Sequence, residues 1–317
     1  MSSSFAPDVP DAAAVAGAVA RLRARKPLVQ CIPNVVAAEI TANVLLAAGA
    51  APAMVIGIEE APDFARNKAT ALSINCGALT TPALASMRAA AAAASSSERR
   101  PAWVLDPVAC GGTEHRTAAC RELLALGPRV IRGNASEVLS IASAQGANGP
   151  RGVDASDAAE AALPAAAALA RAHGGMVVVI TGPTDYVTDG TDTLAVRGGA
   201  AEVTQVTGTG CALSALVVAF VSLDATPSSR SPVGDTSASS QVKSSQVKTS
   251  LGPVGYAAAC CAFYKACASV AARDCPGPGS FKVRLLDALA MPQTAIAAAV
   301  EPIAIWTVAI PQLPETA

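Results

Sequence analysis

Short apolar runs alternate with longer alanine-rich stretches along most of the chain. The apolar runs have the length and continuous hydrophobicity of strands buried in a parallel sheet, and most end in a small or polar residue. The predicted strands are 27–32, 52–56, 71–77, 102–107 and 176–182, the predicted helices are 41–50, 82–94 and 157–174, and a strand, a turn and a helix start share 129–142. This alternation predicts an α/β fold in which helices cover both faces of a mostly parallel sheet.

Proline and glycine modify this pattern at three places. Pro164 lies inside the helical stretch 157–174 and predicts a kink or two shorter helices there. Asp189-Gly190 and Gly198-Gly199 are turn signals that follow the last apolar run, and they predict an antiparallel ribbon. We therefore expect the parallel pattern to end near residue 182.

Two segments do not fit the alternation. The segment 225–253 is rich in serine and repeats the sequence SSQVK, so it can bury little apolar surface. It predicts a disordered surface insertion rather than a domain boundary. The residues after about 290 are expected to form an irregular tail. We therefore interpret residues 1–317 as a single domain that contains the insertion.

Composition removes several classes of function. The chain has 23 basic and 24 acidic residues and only 3% aromatic residues, so we expect neither a charged surface nor a stacking platform for nucleic acid. Nine cysteines accompany two histidines without a C-x-x-C pair, which argues against a zinc site and favours reduced thiols in the cytoplasm. No apolar stretch reaches the about 18–20 residues of a membrane span, so no membrane partner is expected.

A short glycine motif precedes the most apolar helical stretch. Gly208, Thr209 and Gly210 come directly before the apolar residues that follow Cys211. Backbone N–H groups at the start of a helix bind anions, so these three residues form a candidate anion hole for a phosphate group. A tight turn from strand to helix without any ligand explains the same glycines equally well.

Two acidic residues follow neighbouring predicted strands. Asp106 ends one strand in an Asp-Pro pair, and Glu137 lies in the segment RGNASE after the next. Two carboxylates at adjacent strand ends can share a Mg²⁺ ion. The structural alternatives are that Asp106 caps a turn and that Glu137 forms a capping box with Asn134. Arg132 suits a nucleotide phosphate or pairs with a nearby acid.

Two further residues have both a functional and a structural interpretation. Thr181 ends the apolar run 176–182, where its hydroxyl and backbone can face a phosphate or merely end a strand. Met54 lies within the short predicted strand 52–56, and methionine is more often a core residue than a ligand contact.

Six blocks of sequence, in their order along the chain, resemble the hydroxyethylthiazole kinases. The resemblance covers residues 27 to about 224 and resumes over about 254–290, and its blocks are PLVQCIPNVVAAEITANVLLAAGAAPAMV, LDPVACGG, VIRGNASE, VVVITGPTDYVTDG, VTGTGCALSALVVAF and GPGSF. It implies a ribokinase-like three-layer α/β/α sandwich. It also implies phosphorylation of the hydroxyl of 4-methyl-5-(2-hydroxyethyl)thiazole by ATP and Mg²⁺ in thiamine biosynthesis and salvage.

The resemblance also implies roles for individual residues. By position, the thiazole contacts are Met54 and Gly208, the ATP contacts are Arg132 and Thr181, the Mg²⁺ residues are Asp106 and Glu137, and the catalytic residue is Cys211. Members of the family are trimers with the thiazole site at a subunit boundary, so a homotrimer is implied here.

Cys211 occupies the position at which related sugar and pyrimidine kinases carry an aspartate. A helix N-terminus lowers a thiol pKa, so we interpret Cys211 as a modest catalytic base. The alternative is that the thiol only packs beside the thiazole while the glycine N–H groups stabilise charge.

Three other functions are compatible with the sequence. One is a ribokinase-like kinase of another small alcohol, such as hydroxymethylpyrimidine. Another is an ADP-dependent dehydratase that repairs hydrated nicotinamide cofactors, which the cysteine in place of aspartate disfavours. The third is a non-catalytic thiazole-binding homologue.

Overall fold

The computed structural model describes residues 8–143, 159–224 and 251–311 and places all their strands in one mixed sheet. The strands are β1 (Leu28–Ile32), β2 (Ala51–Ala53), β3 (Ala71–Asn75), β4 (Ala102–Asp106), β5 (Val130–Asn134), β6 (Val177–Thr181), β7 (Thr184–Thr188), β8 (Thr193–Arg197) and β9 (Ala304–Thr307). Their order across the sheet is β2-β1-β3-β4-β5-β6-β7-β8-β9. The first six are mutually parallel, and β7, β8 and β9 are added antiparallel.

Helices cover both faces of the sheet. They are α1 (Ala12–Arg25), α2 (Ala38–Ala48), α3 (Ala61–Asn67), α4 (Thr81–Ser96), α5 (Glu114–Leu124), α6 (Ala135–Ala142), α7 (Leu163–Ala172), α8 (Thr209–Val221), α9 (Gly252–Ala272), α10 (Pro278–Leu289) and α11 (Gln293–Val300). One apolar core lies under α1, α2 and α8–α11, and the other lies under α3–α7. The predicted three-layer α/β/α sandwich is confirmed.

Strand β6 shows why the central strands are apolar throughout. Val177 and Val179 belong to one core, whereas Val178 and Ile180 belong to the other, and all four are fully buried. Successive side chains of a strand point to opposite faces, so a strand covered on both faces needs apolar residues at every position. Each such burial stabilises the fold by about 1.5–3 kcal/mol.

Several local predictions hold at residue level. Helix α2 ends at Gly49, whose φ of +104° forms the left-handed C-cap. The ribbon after residue 182 is the β7–β8 hairpin, and its turn contains Asp189-Gly190. The predicted division of the helical stretch at Pro164 is confirmed, because residues 159–161 are helical, the helix breaks at Ala162, and α7 begins at Leu163. The proline lies in the first turn of α7, where a missing N–H has no intrahelical role.

The end of the described chain differs from the irregular tail that we expected. Residues 293–300 form α11, with Ile296 and Val300 buried, and β9 pairs antiparallel with β8. The Val308 N–H continues this pairing to the carbonyl of Thr193. The predicted insertion 225–253 lies outside the described residues except at its end, where α9 begins at Gly252.

Helix α9 is long and apolar. Among the described helices, it has the length and composition to cross a membrane, but 83% of its apolar window is buried inside the fold. Helices α10 and α11 meet the same criteria only as a pair, and the chain bends by 116° between them. A helix that is hydrophobic all round is expected at the centre of a large core.

Candidate active site

Polar side chains meet where the parallel strands end. Asn75 is paired in register with Asp106 on β3 and β4, and Asn134 is paired with Thr181 on β5 and β6. In open parallel sheets ligands bind at the carboxyl edge of the strands. The structure therefore brings the predicted residues of β4, β5 and β6 to one edge, next to the N-terminus of α8.

Asp106 is buried at this edge. Its Oδ2 atom accepts hydrogen bonds from Asn75 Nδ2 and from Ser214 Oγ of α8, both at 2.7 Å, while its Oδ1 atom has no partner among the described residues. Burial raises the pKa of Asp106 to about 7; the charge of Arg132 opposes this rise and that of Glu137 adds to it. The carboxyl group therefore changes its charge near neutral pH.

Arg132 is a residue of β5, and its guanidinium group extends to the first turn of α8. Its Nη2 atom donates to Thr181 Oγ1 at 2.6 Å, and its buried Nε atom has no acceptor among the described residues. A Cβ atom added to Gly210 would lie 3.0 Å from Arg132 Nη1. The absence of a side chain at Gly210 thus lets the guanidinium reach the helix N-terminus.

The glycine motif itself is shaped by close packing. Gly208 has a φ of +86°, and a Cβ atom there would lie 2.7 Å from Ile40 Cγ2. The Thr209 hydroxyl bonds to the carbonyl groups of Val203 and Val206, so it shapes the turn instead of facing a ligand.

The first turn of α8 retains N–H groups for an anion. The Thr209 N–H donates weakly to Val206 at 3.5 Å. The N–H groups of Gly210 and Cys211, at the second and third positions of α8, have no intrahelical acceptor. Together with Arg132 they form the arrangement that an anionic group requires.

The pKa of Cys211 differs from our expectation. Burial raises it, and the charge of Asp106 raises it further, against a hydrogen bond with Asn75 and the charge of Arg132. The expected lowering by the helix N-terminus is wrong in direction, because the thiol is largely desolvated and faces carboxylates. The structure nevertheless places Cys211 within the cluster.

Glu137 forms the capping box with Asn134 that the sequence predicts as its structural alternative. Its backbone N–H donates to Asn134 Oδ1 at 2.9 Å, and its Oε2 atom accepts from the Asn134 N–H at 2.8 Å, which completes a capping box. Its Oε1 atom accepts from the Ala109 N–H at 2.9 Å. The carboxylate is nevertheless close enough to raise the pKa of Asp106.

The two acids form a limited site for a cation. No group of three or more histidine, cysteine, aspartate or glutamate side chains able to hold a metal occurs among the described residues. Mg²⁺ keeps several waters and usually takes one or two carboxylates from the protein. The unpartnered Oδ1 atom of Asp106, with Glu137 nearby, fits that requirement.

Met54 lies at the same carboxyl edge but is displaced along it from Asp106. It follows β2, three strands from β4, which corresponds to about 14 Å across the sheet. Its side chain is 37% exposed. Other exposed apolar side chains follow β1 and β2, namely Val35, Val36, Ile56 and Ile58.

Three residues of the site were missed from the sequence. Asn75 and Ser214 hold Asp106, and the Tyr264 hydroxyl donates to the Thr209 carbonyl at 3.0 Å. Two of them carried a usable signal, since Asn75 is a polar residue near the end of the predicted strand 71–77 and Ser214 is the polar break in an apolar helix. Tyr264 is brought in by a distant helix and has no local signal.

A cavity of about 650 Å³ adjoins Arg132 and Thr181. It is lined by the β6–β7 turn, by the loop that follows β8, and by side chains of α8 and α9, including Tyr264 and Lys265. The volume is that of a pocket for a ligand of nucleotide or drug size. Arg132 and Gly210 both line it, so the cavity opens onto the candidate anion site.

Comparison with known proteins agrees with this architecture. Residues 19–255 match the model of the hydroxyethylthiazole kinase family. A hydroxyethylthiazole kinase of Citrobacter koseri is 44% identical over 283 residues, which cover 89% of this chain and 96% of that protein. The solved structure of hydroxyethylthiazole kinase from Pyrococcus horikoshii is 30% identical, has a TM-score of 0.75, and covers 93% of this chain and 99% of that one.

A more distant structure supports the fold alone. Pyridoxal kinase from Staphylococcus aureus in complex with AMP-PCP is 14% identical, with a TM-score of 0.51 over 76% of this chain and 88% of that one. With the likeness to the Pyrococcus structure, this confirms the ribokinase-like sandwich.

Replacing Asp106 by asparagine should stabilise the protein at high pH. The pKa of Asp106 is about 7 in the folded state and about 3.9 in an unfolded chain. The stability that Asp106 contributes is therefore present below pH ~4 and lost as pH rises through ~7. Asparagine has the same shape and does not ionise. The stability advantage of Asp106→Asn over wild type should therefore grow as pH rises from ~4 to ~7, to about 4 kcal/mol.

Urea unfolding at pH 5 and at pH 8 measures this difference. The exposed carboxylate variant Asp63→Asn controls for the change in net charge. A stability gap between Asp106→Asn and wild type that is equal at both pH values would contradict the raised pKa.

Proposed function

The chain belongs to the hydroxyethylthiazole kinase family, and from this premise we propose that it transfers the γ-phosphate of ATP to the hydroxyl of 4-methyl-5-(2-hydroxyethyl)thiazole. One observation carries the proposal. Arg132 and the first turn of α8 converge beside Asp106 and Cys211, at the mouth of a cavity of about 650 Å³. This arrangement would hold a phosphate between a nucleotide pocket and a proton-accepting group. The product belongs to thiamine biosynthesis and salvage.

Binding of ATP would use the cavity and its charged end. Arg132 and Thr181 would contact the phosphates, and the N–H groups of Gly210 and Cys211 would stabilise the charge that develops on the transferred group. Phosphoryl transfer passes through a loose transition state, so positioning and charge stabilisation supply most of its acceleration. The residues present are suited to those two tasks.

Asp106 and Glu137 would hold Mg²⁺, mainly through water. When bound, the ion would neutralise phosphate charge and orient the transferred group. The proposal fits two features of the structure: Asp106 has an unpartnered oxygen, and both acids lie at the same edge as Arg132.

Cys211 would contact the acceptor hydroxyl, together with the backbone at Gly208. The substrate proton leaves late in a loose transition state, so a weak base suffices. The raised pKa of Cys211 means that the group is a thiol at neutral pH, and this favours hydrogen bonding or packing before transfer over permanent ionisation. Both roles that the sequence offered are therefore retained.

A homotrimer would explain the position of Met54. This residue is about 14 Å across the sheet from the end of β4. A contact with thiazole is then easier to supply from a neighbouring subunit than from within one chain. The exposed apolar side chains after β1 and β2 support an interface there.

Release of ADP by the purified protein tests the proposed reaction. With ATP and Mg²⁺, we expect release that depends on hydroxyethylthiazole and does not occur with hydroxymethylpyrimidine or without an acceptor. Release only with the pyrimidine would assign the fold to another alcohol. Thiazole binding without release would leave a non-catalytic homologue.

Substitution of Cys211 tests its role. Cys211→Asp should remain active, because a carboxylate accepts a proton at least as well as a buried thiol. Cys211→Ala should be slower but not inactive, since base catalysis supplies only about 10²–10⁴-fold and the anion hole remains. Steady-state turnover is the measurement, and Cys275→Ala, a partly buried thiol outside the site, is the control. A folded Cys211→Asp protein that binds ATP yet is inactive would defeat the base interpretation.

Gly210→Ala should weaken the binding of ATP selectively. The added methyl would lie 3.0 Å from Arg132 Nη1 and push the guanidinium away from the helix N-terminus. We expect KM for ATP to rise by about tenfold, because loss of one well-placed guanidinium contact with a phosphate costs at least the ~1.4 kcal/mol that corresponds to tenfold in affinity. KM for the thiazole should change little.

The matched control for this substitution is Gly17→Ala in α1. A Cβ atom at Gly17 meets nothing within 4 Å, and alanine raises helix propensity by about 1 kcal/mol. An unchanged KM for ATP in Gly210→Ala would show that Arg132 does not act at the nucleotide.

A further inference from the structure

One ion pair in the described part of the chain is buried. Lys265 Nζ lies 3.2 Å from Asp185 Oδ1, and the two side chains are only 11% and 4% exposed. By contrast, the ion pairs Arg88–Glu122 and Lys282–Glu39 are exposed at the surface. Lys265 also lies in the middle of α9, which is otherwise almost entirely apolar.

Both members of this pair bind backbone as well as each other. Lys265 Nζ donates to the carbonyl groups of Gly182 at 3.0 Å, Pro183 at 3.3 Å and Gly198 at 3.4 Å. Asp185 Oδ1 accepts from the Gly182 N–H at 3.0 Å. A single ammonium group therefore joins the β6–β7 turn to the loop that follows β8.

The pair lines the cavity that adjoins Arg132. The cavity walls include the turn residues Gly182 and Pro183 and the loop residues Gly198 and Gly199. Gly199 has a φ of +92°, and a Cβ atom there would lie 3.2 Å from Lys265 Cγ, so the loop rests directly on the lysine stem. The ion pair thus sets the separation of two backbone segments that form the pocket.

A continuous series of contacts connects the pair with the anion site. Gly182 follows Thr181, whose Oγ1 atom accepts from Arg132 Nη2. Arg132 in turn occupies the space beside Gly210 that a side chain would fill. The charge of Arg132 also reaches Asp185, where it lowers the carboxyl pKa against the larger rise caused by burial.

The cost of burying two charges argues for a specific role. Apolar residues of similar volume often stabilise a fold as well as a buried ion pair does, whereas removing one partner leaves an uncompensated charge. Methionine at position 265 would suit the apolar surroundings of α9, but it would leave two turn carbonyls and one loop carbonyl without their common donor.

We propose that Lys265 and Asp185 are positioning residues of the nucleotide site. Their ion pair fixes the Thr181–Pro183 turn and the Gly198-Gly199 loop, so the cavity is preformed and Arg132 is held against the start of α8. Neither residue touches the acceptor side of the site. The inference rests on the proposed function, because it takes the ligand of the cavity to be ATP.

The test compares Lys265→Met with the double variant Lys265→Met/Asp185→Asn. The double variant removes the unpaired buried charge and keeps an acceptor for the Gly182 N–H. We therefore expect it to recover most of the thermal stability that Lys265→Met loses. Both variants should bind a non-hydrolysable ATP analogue with Mg²⁺ at least about tenfold more weakly than wild type. A tenfold change in affinity corresponds to about 1.4 kcal/mol of binding free energy. Their affinity for hydroxyethylthiazole should be unchanged.

Thr193→Val is the matched control on the same hairpin. Its hydroxyl donates to Thr188 Oγ1 at 2.8 Å in a buried bond at the end of β7 and β8 that lies away from the cavity. This variant should lose stability without losing affinity for the ATP analogue. Calorimetric titration with each ligand separately, beside thermal unfolding, gives all the required values.

Two results would overturn the inference. A double variant that recovers its stability and binds the analogue as tightly as wild type would show that the pair serves only folding. An equal loss of analogue and thiazole affinity would show general damage to the fold. Failure of the proposed reaction would give a different result: wild type would bind the analogue but would not phosphorylate the thiazole.

Discussion

The hydrogen bond from Ser214 to Asp106 joins α8 to the end of β4, and the rest of the site depends on it. The bond fixes how far the helix extends past the sheet edge, and therefore where Gly210 and Cys211 lie relative to Arg132. Its acceptor is a buried carboxyl group whose second oxygen has no partner among the described residues. One contact between sheet and helix thus sets both the geometry and the electrostatics of the candidate site.

The charges around this contact alternate in sign over a short distance. The charge of Arg132 acts on both Asp106 and Asp185, and Asp185 also pairs with Lys265, so each buried carboxyl group has an opposite charge nearby. These opposite charges offset part of the cost of burying the carboxyl groups. A highly charged ligand can then bind where the balance is incomplete.

Local pattern was sufficient for the architecture and for part of the site. Continuous apolar runs predicted the strands of the parallel half, and residues at their ends, such as Asp106 and Thr181, were identified because parallel strands end at one edge. Lys265 and Asp185 were not identified from the sequence, because they come together only when α9 packs on the β7–β8 hairpin. The direction of the Cys211 pKa was missed for the same reason: burial depends on neighbours far away in sequence. Strand β9 was missed because its partner β8 lies about a hundred residues earlier in the chain.

The change from parallel to antiparallel pairing after β6 divides the sheet into a parallel half and an antiparallel half. A parallel connection would require a crossover helix, whereas the two-residue turn at Gly182-Pro183 returns the chain at once and leaves space beside α9. Under the proposed function, the acceptor would bind at the parallel half and the phosphate donor at the hairpin half. Substitutions in the hairpin would then change the choice of donor without disturbing the acceptor site, which is a modular arrangement within one domain.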